Sequence, residues 1–485
     1  MIRAVRSRSG TRPNGIVTAM VVAGIVASLT STLVVPMISK LPPQLGTTAS
    51  NASWVVTATL LAAAVTTPVM SRLGDLYGKR RMMLICSVPL VLGCVVCALA
   101  SDLTTMVVGR GLQGMGMGMI PLGISALRDV LPPERLGPSI ALMSSSMGIG
   151  GALGLPVAAA VAEYASWRVL FWATAALGLL VAMPIRALVP ATPATPAAVR
   201  GRVDIVGALG LSAGLVCLLL GVSKGGDWGW ASGTTLGLLA AAVLVLLAWG
   251  RWELRNGDPL VDLRVAARPQ MLMTNIASIV VGFSMYAQAL IVIQILLLPA
   301  ATGYGLGQSL LAAGLWMAPA VLVMMIVSPI GARLSAARGP KVTLIVGSLI
   351  MAAGYGSSVF LLGSTGGLLI LTCVCSIGIG FTYGCIPTLI TSVAPPTESA
   401  AASSFNTLMR SIGATVSAAV VGLILSQMTT EFAGRVLPSE AGFRTGMLIG
   451  CGTALLAAAI TLAVPGRRAG PAVPQSDMAL RAGLG

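Results

Sequence analysis

The chain has 485 residues, of which 56% are hydrophobic and only 9% charged, and its net charge is +16. No segment offers the polar surface that a water-soluble domain of this size must present, so a soluble globular fold is excluded. Histidine is absent, which removes the commonest general base, metal ligand and proton relay together.

Fourteen apolar runs of about 20 residues can be marked off, each long enough to cross the hydrocarbon core as a helix. Arg3, Arg6, Arg8 and Arg12 precede the first, near 15–39, which is too long for the apolar region of a secretory signal and reads as a retained helix. The second run, 53–71, ends in the charged turn SRLGDLYGKRR, residues 71–81. Runs at 82–100, 105–127, 138–162 and 167–188 complete six helices. The stretch PATPATPAAVRGR then leads to two further runs, 204–223 and 233–252, and a polar loop from Glu253 to Gln270. Six more runs follow, near 271–298, 308–330, 342–362, 366–391, 402–426 and 444–464. The expected organisation is a six-helix bundle (1–188), a linker with two inserted helices and a loop (189–270), a second six-helix bundle (271–464) and a tail (465–485).

If spans alternate, 23 of the 30 basic residues face the side carrying both termini, five (Lys40, Arg168, Lys224, Arg435, Arg444) face the other, and Arg110 and Arg410 lie inside spans. That asymmetry is the positive-inside signature: it predicts a multi-pass protein of the cell membrane with cytoplasmic termini, whose basic loops face anionic lipid. The charge therefore needs no nucleic acid to explain it. The eight cysteines lie mostly within apolar runs, and Cys94 and Cys97 have C-x-x-C spacing without a second pair; they read as packing residues, with no metal or disulfide framework.

Self-comparison finds an internal repeat. Arg72-Leu73 is answered by Arg333-Leu334 and Gly78 by Gly339, both at an offset of 261, with Lys79 and Lys341 close behind. Ile120-Pro121 is answered by Ile386-Pro387 and Pro132-Pro133 by Pro395-Pro396, and 17 residues beyond each second proline stands a glycine, Gly150 or Gly413. The second helix thus corresponds to the tenth, so two helices are inserted between six-helix halves.

The 71–81 turn, with Leu73, Gly74, Asp75, Gly78, Lys79 and Arg80, resembles the loop between the second and third spans of major facilitator transporters. With its two inserted helices the chain resembles the fourteen-span drug:proton antiporter branch, the EmrB/QacA-like multidrug exporters. The resemblance implies an all-α polytopic fold of two pseudo-symmetric bundles. It further implies a secondary transporter, not an enzyme, that uses a proton gradient and no cofactor. V-G-R-G-L-Q-G around Arg110 resembles the family's fourth-helix motif associated with proton coupling. GIGGALGLP, with Gly150, Gly154 and Pro156, resembles the exporters' fifth-helix motif, although Leu155 precedes the proline and Ala159 and Ala160 replace the final glycines. The family's first-helix acid is replaced in Leu29-Thr30-Ser31-Thr32.

An arginine inside a span is kept only where it faces protein or water, so Arg110 is expected to be buried, with Gln113 one turn on as its hydrogen-bonding neighbour. Arg410 is similar but nearer the inner end. Asp75 is expected to stabilise the N-terminus of the thirteenth helix near Ser399, the alternative being a surface pair with Arg80 or Arg135. The acids all fall at helix ends, loops or tails; Glu163 is the proton acceptor that this distribution leaves, and specialisation for dicationic compounds is disfavoured. The expected substrate cavity is apolar with scattered hydrogen-bonding groups: Thr30, Ser31 and Thr32 with Ser28, then Asn275, Tyr286, Gln288 and Asn406, with Met117 among adaptable methionines. The reading is a monomer exporting lipophilic small molecules or drugs in exchange for protons. A dedicated exporter of one antibiotic or metabolite is the alternative within transport, and a membrane-embedded sensor or enzyme stands outside it. Against the last are the absence of a soluble input domain, of a nucleophile beside a base, and of an acidic pair at metal spacing.

Overall fold

The computed structural model describes residues 13–34, 37, 41–47, 49–52, 54–190, 204–393, 399–432 and 435–463. The N-terminal arginines, most of the Pro/Ala-rich linker, the Pro395-Pro396 pair and the 465–485 tail lie outside them. Among the described residues, thirteen helices are long and apolar enough to cross a membrane. The first half contains α1 (Pro13–Thr32), α2 (Trp54–Tyr77), α3 (Lys79–Leu99), α4 (Leu103–Gly114), α5 (Met119–Val130), α6 (Pro133–Tyr164) and α7 (Trp167–Leu188). The inserted pair is α8 (Ile205–Trp228) and α9 (Gly233–Glu253). The second half contains α10 (Pro269–Leu297), α11 (Leu310–Arg338), α12 (Pro340–Gly356), α13 (Thr365–Val393), α14 (Ser399–Gln427) and α15 (Glu440–Ala463).

The fourth crossing is the departure from a single continuous run. It is α4 and α5 in line, joined by the 3₁₀ turn Met115–Gly118. The turn's sequence, MGMG, has the poor helix propensity of glycine, and Pro121 has no N–H to give the carbonyl of Met117. A Cβ on Gly116 would fall 2.7 Å from the Cβ of Leu90 in α3, so this turn also lets the neighbouring helix approach closely. With this broken crossing the described residues make fourteen traverses, and parity puts α1's start and α15's end on one face, the termini-bearing face.

The same helix pairings recur in both halves. The first and fifth crossings pack as α1 on α6 and recur as α10 on α14; α3 on α7 recurs as α12 on α15; and α2 on α4 recurs as α11 on α13. Gly150 of α6 and Gly413 of α14 are equivalent in space as in sequence. A Cβ on the first would collide with the carbonyl of Ile25 in α1, and on the second with that of Ile279 in α10. Gly78 (φ 99°) and Gly339 (φ 88°) both adopt the left-handed backbone that favours glycine, each turning the chain into the following helix. Two seams join the bundles. At one, α6 runs along α11, with Ala141 facing Ser328, Gly148 facing Met324 and Pro156 facing Gly314. At the other, α2 and α5 meet α14.

The inserted pair lies outside the pseudo-symmetric bundles. α8 covers the second seam, touching both α2 and α14 through Leu211, Leu215 and Leu219, which pack with Ala64 and Leu408. α9 backs α8 and is otherwise largely exposed. Two features depart from the sequence expectation. Lys224, expected outside, belongs to α8 and is fully buried, its ammonium 5.1 Å from the Trp54 ring centroid. The connection between α14 and α15 is a two-stranded antiparallel hairpin, β1 (Thr429–Phe432) and β2 (Arg435–Pro438).

Candidate functional site

Arg110 sits on α4, and its side chain is completely buried. The guanidinium donates from Nε to the Val55 carbonyl (2.9 Å), from Nη1 to the Thr30 carbonyl (2.6 Å) and Gln113 Oε1 (2.6 Å), and from Nη2 to the Ser31 carbonyl (3.4 Å). Thr30 and Ser31 belong to the last turn of α1, whose carbonyls have no partner further along their own helix. Arg110 therefore caps the negative end of α1 and ties it to the first turn of α2, while Thr59 of α2 donates its hydroxyl back to the Arg110 carbonyl at 3.1 Å. Gln113 is itself buried and donates to Cys94 Sγ of α3 at 3.1 Å. One charge thus organises α1, α2, α3 and α4 without a carboxylate. Gly93 and Gly109 make this possible, because a Cβ on Gly109 would fall 2.9 Å from the Gly93 carbonyl oxygen.

The second polar centre lies at the termini-bearing ends of the bundles. Asp75, in the last turn of α2 and nearly buried, accepts a hydrogen bond from the backbone N–H of Ala401 (3.0 Å) in the first turn of α14. The contact places a carboxylate at the positive end of a helix from the opposite bundle. Lys79 lies beside Asp75, at 3.9 Å, and also bonds Asp129 of α5 at 2.7 Å. Arg80 is half-buried, and Arg135 reaches Asn14 Oδ1 at 3.4 Å. A cleft beside this latch is lined by Asp262, Val265, Met271, Ala401, Ala402 and Phe405.

The residues expected to share one cavity fall into separate groups. Thr30, Ser31 and Thr32 return their hydroxyls to carbonyls three residues earlier in α1, and the first two enter the Arg110 site through their backbone. Asn406 donates to Asn275 Oδ1 (3.2 Å) and Ser278 Oγ (2.7 Å), binding α14 to α10. Gln288 is buried and donates to the Thr372 carbonyl at 3.4 Å, between α10 and α13. Tyr286 is half-buried, and Met117 packs against the first bundle's core. Gly150 and Gly154 face α1, and Pro156 meets Gly314 of α11 across the bundles. The side chain of Glu163 lies outside the described residues. Arg410 of α14 is 8% exposed, with its guanidinium carbon 4.9 Å from the Tyr383 ring centroid of α13 and Nη2 3.2 Å from Met147 Sδ of α6.

Nothing in the sequence marks Val55 or the α1 carbonyls as arginine partners, because a backbone acceptor has no residue signature. The Lys79 to Asp129 pair and the Tyr383 ring were equally unmarked.

The family model of the Major Facilitator Superfamily matches residues 20–418. An uncharacterised MFS-type transporter of Mycobacterium tuberculosis is 29% identical over 438 residues, covering 89% of this chain and 62% of the relative. The chain therefore spans less than two thirds of that relative's length. The tetracenomycin C resistance and export protein of Streptomyces glaucescens is 26% identical over 433 residues, covering 88% of this chain and 78% of that protein. Among solved structures, the proton:xylose symporter XylE shares the fold, with a TM-score of 0.64 and 15% identity over 94% of this chain and 97% of its own.

Proposed function

The chain belongs to the Major Facilitator Superfamily, and we propose that it exports lipophilic small molecules or drugs in exchange for protons by alternating access. The observation that carries the reading is the Asp75 bond to the Ala401 N–H. It joins the two bundles at the termini-bearing face, so it must break when that side opens and can re-form when it closes. The excess of basic residues on that face supports its assignment to the cytoplasm. Export is supported by the antiporter-like stretch from Gly150 to Pro156, whose glycines seat α6 on α1 while its proline meets α11, and by the relative named for tetracenomycin C resistance and export. Arg110 keeps its charge at any physiological pH, so in this reading it holds α1, α2 and α4 as one body and a carboxylate carries the proton. Glu163 is our candidate.

The test is efflux of a fluorescent lipophilic compound from cells, or its uptake into inverted vesicles. Collapse of the proton gradient by an uncoupler is expected to abolish it. Efflux that persists under the uncoupler and requires ATP would refute the coupling. A compound panel separates a multidrug exporter from one dedicated to a single antibiotic or metabolite.

A further inference from the structure

Arg410 differs from Arg110 in one decisive respect. Arg110 has its donors matched to carbonyl and amide oxygens, whereas Arg410 has a thioether at 3.2 Å, an aromatic face at 4.9 Å, and a buried Nε with no acceptor. It is the twelfth residue of the 29-residue α14, about 17 Å along the helix and so close to mid-depth. Among the described side chains the carboxylates stand at the helix ends or beyond: Asp75, Asp129, Asp204, Glu253, Asp258 and Asp262 on the termini-bearing face, Asp102, Glu431 and Glu440 on the other. None reaches this depth. A guanidinium here therefore lacks the opposite charge that would offset its desolvation.

The surroundings are built from both bundles. Met147 comes from α6 of the first, while Tyr383 and Arg410 itself come from α13 and α14 of the second. The Tyr383 hydroxyl is 3.7 Å from Met285 Sδ, and Asn406, one turn before Arg410, anchors the Asn275 and Ser278 cluster. The charge is thus fixed between a thioether and an aromatic ring whose hydroxyl meets a second thioether, beside a polar rim, at the junction that alternating access must open. Thioethers adapt to varied apolar frames, and a guanidinium fork matches the two oxygens of a carboxylate.

We propose that Arg410 anchors an acidic group of the transported compound, so that the preferred substrates are amphiphilic organic anions. This rests on the transport reading and names the substrate class for it. A lipophilic cation at the same junction would meet a like charge in a low-dielectric setting, which disfavours it.

The experiment is a binding measurement on the purified full chain in detergent, with no gradient, using pyrene fluorescence. The probes are 1-pyrenebutyrate, its methyl ester, and the matching pyrenylbutyl trimethylammonium ion. Wild type is expected to bind the carboxylate at least ~10-fold tighter than the ester, with the cation weakest. Arg410→Gln removes the preference, and Arg410→Lys, which keeps the charge without the fork, retains part of it. Equal or tighter binding of the ester or the cation by wild type overturns the proposal, as does a monodisperse Arg410→Gln protein that keeps the carboxylate preference. A purely structural Arg410 would not move the order of the three probes. Loss of proton-driven efflux with the charge order intact refutes the export reading alone, and an inverted order with intact efflux refutes this assignment alone.

Discussion

Replacing Arg110 by glutamine tests whether the buried guanidinium is a structural clasp as well as a functional group. The side chain makes four hydrogen bonds, three of them to carbonyls of α1 and α2 and one to Gln113. A hydrogen bond to a charged group contributes about 1.5–3 kcal/mol net, and removal of the buried charge returns part of this by relieving its desolvation. Taking about 1 kcal/mol net for each carbonyl left without its donor, Arg110→Gln is expected to destabilise the fold by about 3 kcal/mol. Arg110→Lys can reach one or two of the same carbonyls and should lose roughly half as much. The assay is thermal unfolding of detergent-purified protein followed by tryptophan fluorescence, beside uncoupler-sensitive efflux in vesicles. Lower stability and lost efflux are both expected for glutamine. An Arg110→Gln protein that melts with wild type would refute the capping argument, whatever happens to transport.

Asp75→Asn keeps an acceptor for the Ala401 N–H but removes the charge that faces the start of α14 and Lys79. A loss of about 1 kcal/mol should shift the populations about fivefold toward opening on the termini-bearing face. Spin labels at Tyr77 and Arg338, at the ends of α2 and α11, would report it as a longer distance, and an unchanged distribution would count against the latch. Gly150→Ala should destabilise by about 1–3 kcal/mol, because its Cβ would meet Ser28 Cβ at 2.8 Å and Leu29 N at 2.9 Å. Gly111→Ala, with open space around it, should be neutral or stabilising by up to about 1 kcal/mol; equal effects in chemical denaturation would contradict the close-packing argument. At the start of α4, bonds from the Thr105 hydroxyl (2.7 Å) and backbone N–H (2.9 Å) hold the Asp102 carboxyl below the usual aspartate range. A depressed folded pKa gives a contribution that is present above the unfolded value and lost as pH falls through the folded one. The Thr105 amide should therefore remain protected from hydrogen exchange at pH ~4, where a free aspartate is half protonated.

The crossings and the repeat were legible because both rest on patterns that survive in one dimension. Twenty apolar residues span a bilayer whatever they pack against, and Gly78 and Gly339 occupy matching positions because the same left-handed turn is needed twice. Gln113 as a neighbour of Arg110 follows from helical spacing. The break at Met115–Gly118 was harder to see, since its methionines keep the run apolar while its glycines weaken the helix. Lys224 looked like a loop residue because α8 continues five residues beyond its apolar core. Nothing local marks two distant acids as neighbours either. Asp204, the N-cap of α8, and Glu253, the last residue of α9, are both buried and come together beside Gly207, where the missing Cβ would contact an oxygen of each. Nor does the sequence mark where the hydroxyls of Thr30, Ser31 and Thr32 bond, for a hydroxyl on a membrane helix can satisfy itself on its own backbone.

The helix that covers the second seam touches both bundles at once, so under the proposed alternating access it could not ride rigidly with either. Leu211, Leu215 and Leu219 repeat every four residues along it, and such non-directional apolar contacts would let α2 and α14 slip past at little cost in that cycle. Its hydrogen-bonded end, at Asp204, is moored to Trp252 of α9 and to Asn256 just beyond it. In the proposed cycle the added pair would act as a sliding bulkhead over the joint between the bundles.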